Sequence, residues 1–170
     1  ANTFLKSQGV DTKGSMIEAD LLGTADGIIR SAKEKGVDLL LPEDLVCAEA
    51  FEAGAASKPA SVNAIPDEWM ALDIGPETAK RYADAVSGAA TIVWNGPMGV
   101  FEMDAFMSGT QVVADAIAGS GAFSIVGGGD TGLAAKKCRV ADKVSYISTG
   151  GGAFLHLMEG KQLPGVTALE

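Results

Sequence analysis

The run Trp94-Asn95-Gly96-Pro97-Met98-Gly99-Val100-Phe101-Glu102 places an amide side chain, two glycines, a proline and a carboxylate directly after the apolar stretch Thr91-Ile92-Val93-Trp94. An apolar run that stops at a glycine-rich turn is how an open parallel sheet presents a ligand-binding edge. Asn95, the bare backbone and Glu102 offer the hydrogen-bonding groups that the ribose and phosphates of a nucleotide need.

Two further glycine clusters follow apolar runs. Gly127-Gly128-Gly129-Asp130-Thr131 lies between an expected strand and an expected helix, where helix N-terminal N–H groups can face phosphate oxygens. In that setting Asp130 could hold a magnesium ion and Thr131 could donate its hydroxyl. The competing reading is an ordinary strand–helix turn with Asp130 as the helix N-cap. The third cluster, Ser148-Thr149-Gly150-Gly151-Gly152-Ala153, repeats the arrangement after Val144 to Ile147. In one parallel sheet the three turns would open at the same edge, and their amides would converge on a single polyanion. No Gly-Lys-Ser/Thr follows a strand, no Gly-x-Gly-x-x-Gly opens the first strand–helix turn, and no serine sits in a Gly-x-Ser-x-Gly elbow.

A chain of 170 residues, 47% hydrophobic, is large enough for one domain with a sizeable core. Its net charge of -9 and pI of about 4.5 argue against general attraction to nucleic acid or an anionic membrane. An anionic ligand would have to be held locally, by backbone N–H groups, helix N-termini, a few lysines or a metal. No apolar run is long enough to span a bilayer and no leader-like segment opens the chain. Cys47 and Cys138 have no metal-like spacing and read as unpaired thiols in a reducing cytoplasm.

Apolar residues recur at helical spacing from Met16 to Lys35, with Gly36 as the stop, so a long amphipathic helix is expected there. Val37 to Leu41 reads as a buried strand, Leu45 to Ala48 and Ser61 to Ile65 as weaker ones, and Ala53 to Pro59 as a surface loop. The short apolar run Trp69 to Ile74 precedes a helix from Pro76 to Val86. Beyond it, strands at Thr91–Trp94, Ala122–Val126 and Val144–Ser148 alternate with helices at Phe106–Ile117, Asp130–Cys138 and Gly151–Glu159. This alternation predicts one α/β domain, a parallel sheet with helices on both faces in three layers.

With these residues in view, the chain resembles the carboxyl-terminal, nucleotide-binding part of phosphoglycerate kinase, nearly end to end. The resemblance is carried, in order, by Ala1-Asn2-Thr3-Phe4-Leu5-Lys6, Leu41-Pro42, Ile65-Pro66, Trp69-Met70, Leu72-Asp73-Ile74-Gly75-Pro76, and the Trp94 to Glu102 run. It continues through Gly127 to Thr131, Asp142-Lys143-Val144-Ser145, Ser148 to Ala153 and Leu163-Pro164-Gly165-Val166. It implies a Rossmann-like domain that lacks the first strands of the family's nucleotide domain, so that residues 1–170 are incomplete at the amino end. The implied activity is reversible phosphoryl transfer between 1,3-bisphosphoglycerate and Mg-ADP, in the cytoplasm, by an enzyme monomeric at full length.

The resemblance also assigns roles. Residues 70 to 72, with Ala71 and Leu72, would border the adenine, and Glu102 would bind the ribose hydroxyls. Asn95, Gly96 and the backbone near Met98 would lie along the nucleotide. Gly128, Gly129 and Thr131 would serve the phosphates, Asp130 would reach Mg2+, and the amides around Gly151 and Gly152 would meet the transferring phosphoryl group. Three positions depart from the family pattern: Ala71 replaces a usual glycine, and Phe154 and His156 replace a usual serine and glutamate. At full length the family's amino-terminal half supplies the phosphoglycerate site, and its nucleotide domain carries a phosphate-binding lysine ahead of the Ala1 position. Without these, the chain alone is expected not to turn over. Other readings are an autonomous purine-nucleotide module, an inert fragment with an exposed sheet edge, and a dinucleotide oxidoreductase.

Overall fold

A computed structural model describes residues 1–148 and 150–169, so Thr149 of the third glycine cluster lies outside the described residues. The chain divides into two compact units. Ala1–Tyr82 and Met98–Gly109 form unit 1; Ala83–Pro97 and Thr110–Glu170 form unit 2. Among the described residues no helix is long and apolar enough to cross a membrane.

Unit 1 opens with α1 (Asn2–Ser7), a 3-10 turn at Ala19–Leu21 and α2 (Leu22–Glu34). The helix expected from Met16 therefore starts six residues later, and the tight turn takes up the beginning of its apolar pattern. Strands β1 (Asp44–Ala48), β2 (Ser57–Ser61) and β3 (Met70–Ile74) form a sheet in the order β2-β1-β3, antiparallel throughout. The run Val37 to Leu41 is not a strand. Val37 is 59% exposed, and among the described residues no strand pairs with it. An apolar run becomes a strand only where its backbone finds a ladder. Conversely, β2 occupies part of the expected loop, and Ser61 to Ile65 lies mostly beyond it. Its Ser-Lys-Pro-Ala-Ser sequence has little strand propensity and is drawn into register by β1, with Pro59 tolerated because β2 is an edge.

The core of unit 1 lies on both sides of β1 and β3. Leu5, Leu45, Cys47 and Ile65 cluster with Trp69 and Ala71 against them. Ala48, Leu72 and Phe106 form the other cluster, with Val100 and Met103 packed on it. Helix α3 (Pro76–Ser87) begins in this unit, and Asp44 caps its start. Asp44 Oδ2 accepts from Glu77 N–H (3.1 Å) and Oδ1 from Thr78 N–H (2.8 Å) and the Thr78 hydroxyl (2.6 Å). Gly75 is required beside it, since a Cβ there would lie 2.2 Å from the carboxylate.

Unit 2 holds the expected parallel sheet. Its strands β4 (Thr91–Trp94), β5 (Phe123–Gly127) and β6 (Tyr146–Ser148) run in the order β4-β5-β6. The flanking helices are α4 (Ser108–Gly119), most of which lies in this unit, α5 (Gly129–Lys137) and α6 (Gly151–Met158), followed by a short α7 (Pro164–Thr167). Ile92, Trp94, Val126, Ala134, Ala135 and Val140 are buried. Ahead of the β5–β6 ladder, Ser124 and Ser145 exchange backbone-to-hydroxyl bonds at 3.0 and 3.1 Å.

Candidate functional site

In unit 2 the turns after β4 and β5 and the start of α6 line one open cavity of about 430 Å³. Asn95, Gly96 and Pro97 come from the first turn. Gly128, Gly129, Asp130 and Thr131 come from the second, and Gly152 and Leu155 from α6. Gly151 is the first residue of α6. Parallel strands end at the same edge, which is why two turns and a helix start far apart in sequence meet there. Pro97, noted in the first turn without a role of its own, and Leu155 also line the cavity, and Leu155 falls one helical turn beyond Gly151.

The turns are tied to one another. Gly96 N–H donates to the Thr131 hydroxyl oxygen at 2.7 Å, and Trp94 Nε1–H donates to the Gly96 carbonyl at 2.8 Å. Thr131 is 2% exposed, so this hydroxyl joins the first turn to the second as well as bordering the cavity. Gly96 has φ +111° and Gly128 φ +91°, conformations that disfavour any residue with a Cβ. Gly127 is needed for space: a Cβ there would come within 2.8 Å of the Phe154 ring and 3.1 Å of Asn95 Oδ1. Phe154 thus packs on the end of β5, whereas His156 is exposed in the last turn of α6.

Both helix starts at this edge are free of side-chain caps. The N-cap of α5 is Gly128 and that of α6 is Gly150, and neither helix has a side-chain cap hydrogen bond. Asp130 is therefore not the N-cap of the ordinary turn; it sits inside the first turn of α5 and is exposed. The leading N–H groups of a helix carry partial positive charge and no intrahelical partner, which suits them to phosphate. Among the described residues lining the cavity there is no lysine or arginine, and no group of three metal-binding side chains occurs. A lone carboxylate beside amides fits Mg2+, which keeps several waters and takes one or two carboxylates along with substrate phosphates.

The remaining expected residues belong to unit 1. Ala71 and Leu72 lie on β3, and Met98 and Glu102 on the segment Met98–Gly109. Val100 N–H donates to the Leu72 carbonyl at 2.8 Å, so this segment is fastened to β3. The Ala71 methyl packs against the cluster of Leu5, Leu45, Cys47 and Ile65, and its N–H donates to the Ser15 hydroxyl at 2.9 Å. Glu102 is exposed.

A family model described as phosphoglycerate kinase matches residues 1–161. The chain belongs to the phosphoglycerate kinase family. Similar curated relatives are the phosphoglycerate kinases of Desulforapulum autotrophicum, 62% identical over 170 residues, and Geotalea daltonii, 57% identical over 171. Both alignments cover all of this chain, but only 44% and 43% of the relatives. The chain thus spans less than half the length of these family members. Among solved structures, phosphoglycerate kinase from Coxiella burnetii matches with a TM-score of 0.94 at 44% identity, over 98% of this chain and 43% of the other. The enzyme from Pyrococcus horikoshii matches with a TM-score of 0.81 at 30% identity, over 99% and 42%. The α/β fold with its flanked parallel sheet is that of this kinase family.

Proposed function

We propose that this chain is the ADP/ATP-binding part of a phosphoglycerate kinase. The full enzyme would transfer a phosphoryl group reversibly between 1,3-bisphosphoglycerate and Mg-ADP, giving 3-phosphoglycerate and Mg-ATP. The observation that carries the reading is the cavity of unit 2. There two uncapped helix starts and two glycine turns meet, with no lysine or arginine among the described lining residues. Charge spread over phosphate oxygens calls for many oriented donors more than for covalent help.

In this reading the amides of Gly128 and Gly129 and the turn held by Thr131 take the phosphates, Asp130 holds Mg2+, and Asn95 and Gly96 lie along the nucleotide. The amides of Gly151 and Gly152 face the transferring phosphoryl group. Bound magnesium would offset charge on the phosphates. Ala71 and Leu72 serve the base, the backbone at Met98 lies along the nucleotide, and Glu102 takes the ribose hydroxyls. The phosphoglycerate would be held by a further part of the full-length enzyme. Residues 1–170 then form the nucleotide domain, incomplete at its amino end, of a monomeric cytoplasmic enzyme, and the free thiols Cys47 and Cys138 agree with a reducing compartment.

Two measurements test this. Calorimetric titration with Mg-ADP is expected to give micromolar binding, lost when Gly128 is replaced by valine; no binding by the unaltered chain would end the nucleotide reading. A coupled assay of the chain alone is expected to give no turnover, because the described lining of its cavity offers no cationic side chain to meet the transferring group. Appreciable turnover without an added partner would refute that.

A further inference from the structure

Asp73 is 3% exposed, yet it carries a carboxylate. Its Oδ1 accepts from Ile74 N–H at 2.9 Å and its Oδ2 from Gly109 N–H, in the first turn of α4, at 2.8 Å. Gly99 closes over the same group: a Cβ there would lie 2.3 Å from Asp73 Oδ1, and one at Gly109 would lie 2.5 Å from it. Gly99 and Gly109 are the second and last residues of the Met98–Gly109 segment, so one side chain is bonded to one end of the stretch that bears Met98 and Glu102 and lies close against the other.

Burial pushes the carboxyl up to about 6, against the two N–H groups that draw it down. Burying the carboxylate has a cost, and the N–H groups of Ile74 and of Gly109 at the start of α4 are what hold it in one place.

We infer that Asp73 is a positioning residue for the nucleotide: by bonding Gly109 and packing against Gly99 it sets where the Met98–Glu102 backbone and the Glu102 carboxylate stand relative to β3. This rests on the reading that Met98 and Glu102 serve the nucleotide. The residue touches no ligand and acts through the segment.

The test uses the 170-residue chain and three variants, Asp73→Asn, Glu102→Gln and both together, with Mg-ADP calorimetry and amide hydrogen exchange. Asparagine keeps the volume but offers one acceptor where two are needed. Asp73→Asn is expected to speed exchange of the Val100 and Met103 amides at least tenfold, leave the β1–β2 ladder unchanged, and weaken Mg-ADP binding about tenfold. Glu102→Gln is expected to weaken binding without altering exchange, and the double variant to bind within twofold of Asp73→Asn. Gly99→Ala, which presses a methyl onto the same carboxylate, is expected to repeat the Asp73→Asn pattern and serves if that variant does not fold. Unchanged exchange at Val100 and Met103, or fully additive binding losses, would overturn the inference. If the unaltered chain does not bind Mg-ADP, the nucleotide reading itself fails, which is a different result from binding that Asp73→Asn leaves intact.

Discussion

The starts of α3 and α4 in unit 1 and those of α5 and α6 in unit 2 treat the same physical problem in opposite ways. Every helix start leaves N–H groups without intrahelical partners. In unit 1 the starts of α3 and α4 are met by carboxylates: Asp44 takes the amides of Glu77 and Thr78, and Asp73 takes that of Gly109, while α1 and α2 carry no side-chain cap. Unit 2 opens α5 and α6 on glycine, without a side-chain cap, beside a cavity. What serves as structural cement in one unit is the means of binding an anion in the other. The difference explains why glycine is concentrated in the turns of unit 2 and why the buried aspartate lies in unit 1.

Removing a cap from unit 1 is the most direct challenge to this contrast. Asp44→Ala deletes charge-assisted bonds from two amides and a hydroxyl, and is expected to cost about 3–4 kcal/mol in urea unfolding. A loss under about 0.5 kcal/mol would mean that the caps of unit 1 are ornamental.

Asp73 makes the stability of unit 1 depend on pH. Its carboxyl is raised to about 6 in the folded chain, so folding favours the protonated form. The associated stability is present below about pH 4 and is lost as the pH rises through 6. A rise from the ordinary 3.8 to about 6 bounds the effect at roughly 3 kcal/mol, and the positive end of α4 reduces it. Wild-type stability minus that of Asp73→Asn should therefore fall as the pH rises from about 4 through about 6 and level off above that; a flat difference would contradict the buried charge.

In unit 2, Thr131→Val removes the acceptor for Gly96 N–H and is expected to cost about 1–2 kcal/mol by thermal unfolding, with weaker Mg-ADP binding. Unimpaired binding would separate the two turns functionally. Asp130→Asn is expected to leave stability within about 0.5 kcal/mol, since the residue is exposed and is not the cap of α5, while reducing the magnesium dependence of ADP binding about tenfold. A stability loss comparable to that of Asp44→Ala would erase the distinction between the units.

The parallel sheet and its helices were legible because each signal was local. Thr91 to Trp94 coincides with β4, and Pro76 marks the start of α3. The antiparallel sheet was not, because β2 exists through pairing with β1, which no window of its own residues reveals. Val37 to Leu41 failed for the converse reason, having apolar residues but no ladder among the described strands. The glycine turns announced the cavity, yet the double engagement of Thr131 and the clamp at Asp73 depend on partners about 35 positions away. Side chains that join distant turns leave no periodic trace.

Unit 1 is also discontinuous along the chain, since Met98–Gly109 returns to it after an excursion through unit 2. Phe106, fully buried against Ala48 and Leu72, arrives only with that return. On the ribosome, then, the first 82 residues emerge with a hole where an aromatic ring belongs, a defect on the order of 3–5 kcal/mol. They must wait for a later stretch of polypeptide before they can settle. No single proteolytic cut can release either unit whole.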